Sequence, residues 1–64
     1  MDLSDIEQLA EKITPGLIDE YGRHASQEMT AAWVEDYLRE HAIRLNDGEM
    51  DLLYDEVRDL AKTY

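Results

Sequence analysis

The sequence predicts an all-α protein, a compact bundle of three or four short helices that ends in an αα-hairpin. Apolar residues recur at i, i+3, i+4 and i+7, which places them on one face of a helix. No segment shows the period-two alternation of a strand. One clear turn, residues 44–48, separates two amphipathic segments between Met29 and Tyr64. A chain of 64 residues forms one helical domain, 1–64.

The first helix is predicted from Ser4 to Ile13. Ser4 and Glu7 have the spacing of a capping box, in which each side chain accepts from the other's backbone N–H. The apolar residues that follow at helical spacing are Ile6, Leu9, Ala10 and Ile13. Because proline disfavours helical geometry in the residue before it, Pro15 and Gly16 predict the end of this helix.

The second predicted helix starts at Thr14, with Pro15 in its first turn, where a missing N–H costs nothing. Its apolar side would contain Leu17, Ile18, Tyr21, Ala25 and Met29. Gly22 weakens this helix by about 1 kcal/mol relative to alanine. The pattern leaves its end open: Ser26 or Thr30 caps a third helix, or the two helices continue with a bend.

The last two helices form the predicted hairpin. The apolar face of the third consists of Trp33, Val34, Tyr37, Leu38, His41, Ala42 and Leu45, and that of the fourth of Met50, Leu53, Tyr54, Val57, Leu60, Ala61 and Tyr64. Asn46 or Asp47 caps the fourth helix, and Lys62 lies in its last turn, as the helix dipole prefers. The predicted core is Ile6, Leu9, Ile13, Leu17, Ile18, Tyr21, Val34, Leu38, Leu53, Val57 and Leu60.

The charge of the chain restricts its partners. Sixteen carboxylates against six Lys and Arg leave a net charge of -10. Nucleic-acid phosphates and anionic lipid would be repelled, so we expect no direct nucleic-acid or membrane binding. A protein with a basic surface is the expected partner, and the alternative is that the acidity serves only solubility. The chain has no cysteine and therefore no disulfide. A domain this small then needs a well-packed core or a partner that covers part of its surface, so both a monomer and a homodimer are possible.

The expected location is cytoplasmic. The longest apolar run, residues 31–34, is far too short to span a bilayer. The first residues contain neither the basic n-region nor the apolar h-region of a signal peptide.

Neither an enzyme nor a metal or cofactor site is expected. Asp47-x-Glu49-x-Asp51 resembles the start of a calcium loop, but Leu52 and Arg58 stand where glycine and glutamate are required. Serines and threonines are better interpreted as helix caps, and neither a nucleophile elbow nor a phosphate loop occurs.

A row of carboxylates is the first candidate binding surface. It consists of Asp47, Asp51, Asp55 and Asp59, with Glu56 widening it. Steps of four residues advance about 6 Å along a helix, close to two phosphate steps of about 3.4 Å on a DNA strand. The row therefore predicts a charge mimic that occupies a nucleic-acid-binding surface; the alternative is an ordinary solvated face.

Aromatic side chains make the second candidate surface, namely Trp33, Tyr37 and Tyr54. Aromatic residues are enriched at interfaces, although in a small bundle they also form the core. The expected function is therefore a non-enzymatic acidic protein–protein interaction module, an inhibitor or adaptor that engages a basic surface of its partner. The alternative is a structural or assembly subunit that forms a homo-oligomer or part of a larger complex.

Overall fold

The structure is a computed structural model that describes residues 2–64. Its first helix, α1 (Leu3–Tyr21), starts from a capping box that lies two residues earlier than predicted. Asp2 Oδ1 accepts a hydrogen bond from the Asp5 N–H at 3.0 Å, and Asp5 Oδ2 accepts from the Asp2 N–H at 3.4 Å. The prediction of a box at Ser4 and Glu7 is wrong, because aspartates at the same spacing cap the helix half a turn upstream.

Helix α1 continues through Pro15, so the predicted division into two helices is wrong. Pro15 has no N–H, and the Glu11 carbonyl therefore loses its helical partner. An uninterrupted helix nevertheless places Ile13, Thr14 and Leu17 on the buried face while Pro15 remains exposed. The buried Thr14 hydroxyl is satisfied, since Oγ1 donates to the Ala10 carbonyl at 2.7 Å. Burial of this face outweighs the local cost of the proline.

Gly22 ends α1, so the prediction that it lies inside a helix is wrong. Its N–H donates to the Ile18 carbonyl at 2.8 Å, and its φ of +83° lies in the region that favours glycine. The chain leaves the helix axis at this residue, and a short connection leads to Ser26.

The second helix, α2 (Gln27–Glu40), begins at Ser26, whose hydroxyl accepts from the Met29 N–H at 3.1 Å. This settles the choice left open between Ser26 and Thr30. At the other end the Ile43 N–H donates to the Leu38 carbonyl at 2.8 Å, and the Ala42 N–H donates to Arg39 at 3.2 Å. These bonds form a Schellman motif, and Ala42 occupies its left-handed position with φ 53°.

The third helix, α3 (Asp47–Lys62), is capped by Asn46. Asn46 Oδ1 accepts from the Glu49 N–H at 2.8 Å, and Glu49 Oε1 accepts from the Asn46 N–H at 3.1 Å. The hydrogen bond from the Asn46 backbone lowers the pKa of Glu49, because it stabilises the carboxylate. Lys62 lies in the last turn, as predicted.

The all-α prediction is confirmed, and residues 2–64 contain three helices and no strand. Helix α1 makes its most extensive contact with α3, and α2 packs against both. The buried core consists of Ile6, Leu9, Ala10, Ile13, Leu17, Val34, Leu38, Leu53, Val57 and Ala61. Tyr21 is 42% exposed and was wrongly predicted in the core, because α1 ends there. Ile18 and Leu60 are half-buried. No helix among the described residues is long and apolar enough to cross a membrane.

Candidate functional site

The carboxylate row follows α3 along its exposed side. Asp47, Asp51, Asp55 and Asp59 are all exposed, whereas Glu56 is half-buried. Each step of four residues turns the side chain by about 40° around the helix axis, so the row winds through about 120°. Glu56 projects about 140° away from Asp51. The five carboxylates therefore do not face one flat partner at the same time.

Two of the four aspartates border a groove between α2 and α3, which we call the α2–α3 groove. Its volume is about 320 Å³, and it is lined by Gln27, Thr30, Ala31, Asp51, Tyr54, Asp55 and Arg58. Asp47, Asp59 and Glu56 are not part of this lining. The structure thus brings two residues of the carboxylate row, Asp51 and Asp55, together with Tyr54 of the predicted aromatic surface.

Tyr54 connects the two helices across this groove. The ring is half-buried and packs against the core, and the hydroxyl donates to Glu35 Oε1 at 3.4 Å. Burial raises the pKa of Tyr54, and the neighbouring carboxylates of Glu35 and Asp51 raise it further. The phenol consequently remains a neutral hydrogen-bond donor, held between acidic groups.

Arg58 interrupts the acidic character of the groove. It lines the α2–α3 groove and also an adjacent pocket of about 190 Å³, whose cationic members are Arg23, Arg58 and Lys62. Half of the six Lys and Arg of the chain are therefore near one end of α3. The spacing of three residues from Asp55 to Arg58 indicates in the sequence only that these two side chains are neighbours on α3. A basic partner would meet attraction at Asp51 and repulsion at Arg58.

Trp33 is fixed along one edge. Its Nε1–H donates to the Ile13 carbonyl at 3.3 Å, and its ring lies on Gly16, where an added Cβ would be 2.8 Å from Cζ2. Tyr21 meets the indole edge-on, with 5.9 Å between ring centroids. Only a residue without a side chain allows the indole this close to α1. The half-buried Trp33 is therefore part of the packing, yet part of its surface is still open.

The open part of Trp33 lines a second groove, here called the Trp33 groove. Its volume is about 110 Å³, and its lining is Trp33, Asp36, Tyr37 and Glu40. Tyr37 is also held on one face, because His41 stacks on it with 4.1 Å between centroids. Asp36 and Glu40 were not among the predicted site residues. Their positions three and seven residues after Trp33 were the available signal, since this spacing follows one helix face.

The two grooves divide the predicted aromatic surface. Tyr54 lies in the α2–α3 groove, whereas Trp33 and Tyr37 lie in the Trp33 groove. All three rings are half-buried and pack against the core. Each of the three rings therefore contributes to the packing of the core and also lines a groove.

Among residues 2–64 no group of three or more His, Asp or Glu side chains is arranged to hold a metal ion. The histidines lie apart, with His41 Nδ1 within hydrogen-bond distance, 3.0 Å, of the Tyr37 carbonyl. The arrangement offers carboxylates and aromatic faces, which are groups that bind cationic side chains.

Comparison with protein-family models, with curated proteins and with solved structures finds no match to this chain.

Proposed function

We propose that this protein is a non-enzymatic interaction module that binds a basic surface of a partner protein. In this proposal the partner's surface is one that binds nucleic acid, and the module acts as an inhibitor or adaptor by occupying it. The observation that carries the proposal is the juxtaposition of Asp51, Asp55 and Tyr54 in the α2–α3 groove of a chain with net charge -10.

The geometry of the groove supports a short contact in preference to a long imitation of a DNA strand. Asp51 and Asp55 are about 6 Å apart along the axis and differ by about 40° in direction, so one basic surface can meet both. Asp47 and Asp59 do not line the groove, but each differs by only about 40° in direction from its neighbour in the row, so both border the contact. Tyr54 adds an aromatic anchor of the kind found at the centre of interfaces.

A triple substitution tests the acidic contact. Exposed charge pairs contribute about 0.2–1 kcal/mol each, so Asp51→Asn, Asp55→Asn and Asp59→Asn together weaken the complex by about 0.6–3 kcal/mol. That loss corresponds to a Kd about 3- to 150-fold higher. The complex is first isolated by affinity capture from the native host and then reconstituted from purified components, and its Kd is measured at several salt concentrations.

The matched control removes three carboxylates from α1, through Glu7→Gln, Glu11→Gln and Asp19→Asn. Both variants change the net charge by the same amount, so only the location differs. Equal weakening by both variants would show that the α2–α3 groove is not the contact. The charge-mimic role further requires that duplex DNA compete with the module for the reconstituted partner, and simultaneous binding of both would refute it.

Arg58 supplies a substitution of opposite sign. Replacing it with glutamine removes a positive charge from the end of the α2–α3 groove, so the affinity for a basic partner should rise. An unchanged or lower affinity would place the contact elsewhere.

A further inference from the structure

The Trp33 groove has a composition that differs from that of the α2–α3 groove. Of the described residues 2–64, two aromatic rings and two carboxylates line it, and no Lys or Arg is part of this lining. The guanidinium of arginine stacks on aromatic faces and bonds carboxylates with a planar fork, whereas the ammonium of lysine is a compact, strongly hydrated point charge. A groove that combines both recognition elements is complementary to arginine.

The two aromatic walls of the groove are held by contacts within the protein. Trp33 is held by its bond to the Ile13 carbonyl and by its contact with Gly16, and Tyr37 is stacked on His41. A preformed site avoids the entropy cost of ordering its side chains during binding. The rings therefore present their open surface in a constant position.

The chain's own Arg39 shows that a guanidinium reaches the rim of this groove. Its Nη1 lies 3.5 Å from Asp36 Oδ1, and the two side chains are 78% and 65% exposed. An exposed pair of this kind contributes little and exchanges readily for another partner. Glu40 supplies the second carboxylate of the groove.

We propose that the Trp33 groove binds an arginine side chain presented by the basic partner, with the guanidinium against Trp33 and Tyr37 and its N–H groups donating to Glu40 and Asp36. This inference rests on the proposed function and names the chemistry by which the partner is recognised. It assigns the groove to a second contact, separate from Asp51 and Asp55.

Trp33 is the only tryptophan of the chain, so the tryptophan fluorescence comes entirely from a residue that lines this groove. The purified protein is titrated with the peptides acetyl-Gly-Arg-Gly-amide, its lysine counterpart and its citrulline counterpart, which is neutral but similar in shape. The signals are the Trp33 emission and the NMR shift of the indole N–H. A saturable response to the arginine peptide is expected, with about two- to fivefold weaker binding of the lysine peptide and none of the citrulline peptide.

Two pairs of substitutions separate the groove from the general charge. Asp36→Asn with Glu40→Gln should weaken the arginine peptide about 2- to 30-fold. Asp51→Asn with Asp55→Asn removes the same charge from the other groove and should leave this peptide's binding nearly unchanged. Tyr37→Leu, which keeps an apolar side chain, should weaken it about two- to fivefold.

No saturable binding, equal binding of arginine and lysine or citrulline peptides, or equal effects of the two double variants would each overturn the inference. These results are independent of the reconstituted complex. If the arginine peptide fails while Asp51→Asn, Asp55→Asn and Asp59→Asn still weaken that complex, only the role of the Trp33 groove is refuted.

Discussion

Gly16→Ala tests the contact between α1 and Trp33. The new Cβ would lie 2.8 Å from Trp33 Cζ2 and 3.4 Å from Cε2, closer than carbon atoms pack. The indole would have to move, and it is held there by the bond from Nε1 to the Ile13 carbonyl and by Tyr21. The substitution therefore sets a local steric cost against a gain in helix propensity.

The two effects differ in size. Alanine in place of glycine inside a helix contributes about 1 kcal/mol. Overpacking a well-packed contact costs about 1–3 kcal/mol, and loss of the Trp33 hydrogen bond adds about 1 kcal/mol. We therefore expect Gly16→Ala to lower the free energy of unfolding by about 1–3 kcal/mol. Because a urea m-value near 1 kcal/mol/M is usual for a small domain, the midpoint should fall by about 1–3 M.

Gly48→Ala is the matched control. Gly48 lies in the first turn of α3, and a Cβ there would meet Asn46 Oδ1 at 3.5 Å, an ordinary contact. This variant should be neutral or stabilised by up to about 1 kcal/mol. In a Trp33→Leu background, Gly16→Ala should lose its cost, which a double-mutant cycle measured by circular dichroism in urea would show. Gly16→Ala as stabilising as Gly48→Ala would refute the packing of Trp33 on α1.

Three further predictions concern single positions. Pro15→Ala should stabilise the fold by about 2 kcal/mol, because proline in a helix interior costs about 3 kcal/mol and its restriction of the unfolded chain returns about 1 kcal/mol. An unchanged or lower urea midpoint would favour the two-helix arrangement. Ala42→Gly should raise the unfolding free energy by about 0.5–1 kcal/mol by relieving a left-handed alanine, and a lower thermal midpoint would contradict the Schellman geometry. The raised pKa of Tyr54 means that the unfolded chain loses this proton first, so its stabilising contribution is present below about pH 10 and is lost as pH rises through the folded pKa. Unfolding free energies measured across this range should fall more steeply for the native chain than for Tyr54→Phe, and parallel curves would contradict the shift.

Periodicity was sufficient to predict most of the core. Burial depends on which residues share a helix face, and that information is in the spacing alone. Leu53 and Val57 on α3 and Val34 and Leu38 on α2 are buried as predicted. The helix starts were predicted only as pairs of candidates, Ser26 or Thr30 and Asn46 or Asp47. The structure uses Ser26 and Asn46, short polar side chains whose capping bonds are local.

The errors occurred where a local signal competed with tertiary packing. Thr14 and Pro15 have a sequence typical of a helix start, yet here they are inside α1. The local cost of Pro15 is a few kcal/mol, whereas a continuous α1 keeps Ile13 and Leu17 on one buried face against α3. Gly22 then becomes the true terminator. The preferences of single residues cannot predict which of these two effects is larger, because the gain from burial depends on the helix that packs opposite.

The grooves were unpredictable for a different reason. A groove is a relation between helices, and the sequence spacing describes only one helix at a time. Asp51 and Asp55 were identified as part of a row, but their distinction from Asp47 and Asp59 depends on where α2 lies. In the same way, the place of Arg58 at the end of the groove depends on where α2 lies.

Trp33 shows why packing and recognition are not alternatives in a domain of this size. The edge of Trp33 that contains Nε1 and Cζ2 packs against Gly16 and Ile13, whereas the remaining surface lines a groove with Glu40. Replacing the whole side chain would therefore change both stability and binding, and the two effects could not be separated. Gly16→Ala acts on the edge of Trp33 that packs against α1, and Tyr37→Leu acts on the Trp33 groove. If the first alters mainly the unfolding free energy and the second mainly the arginine affinity, the two roles of Trp33 are separable.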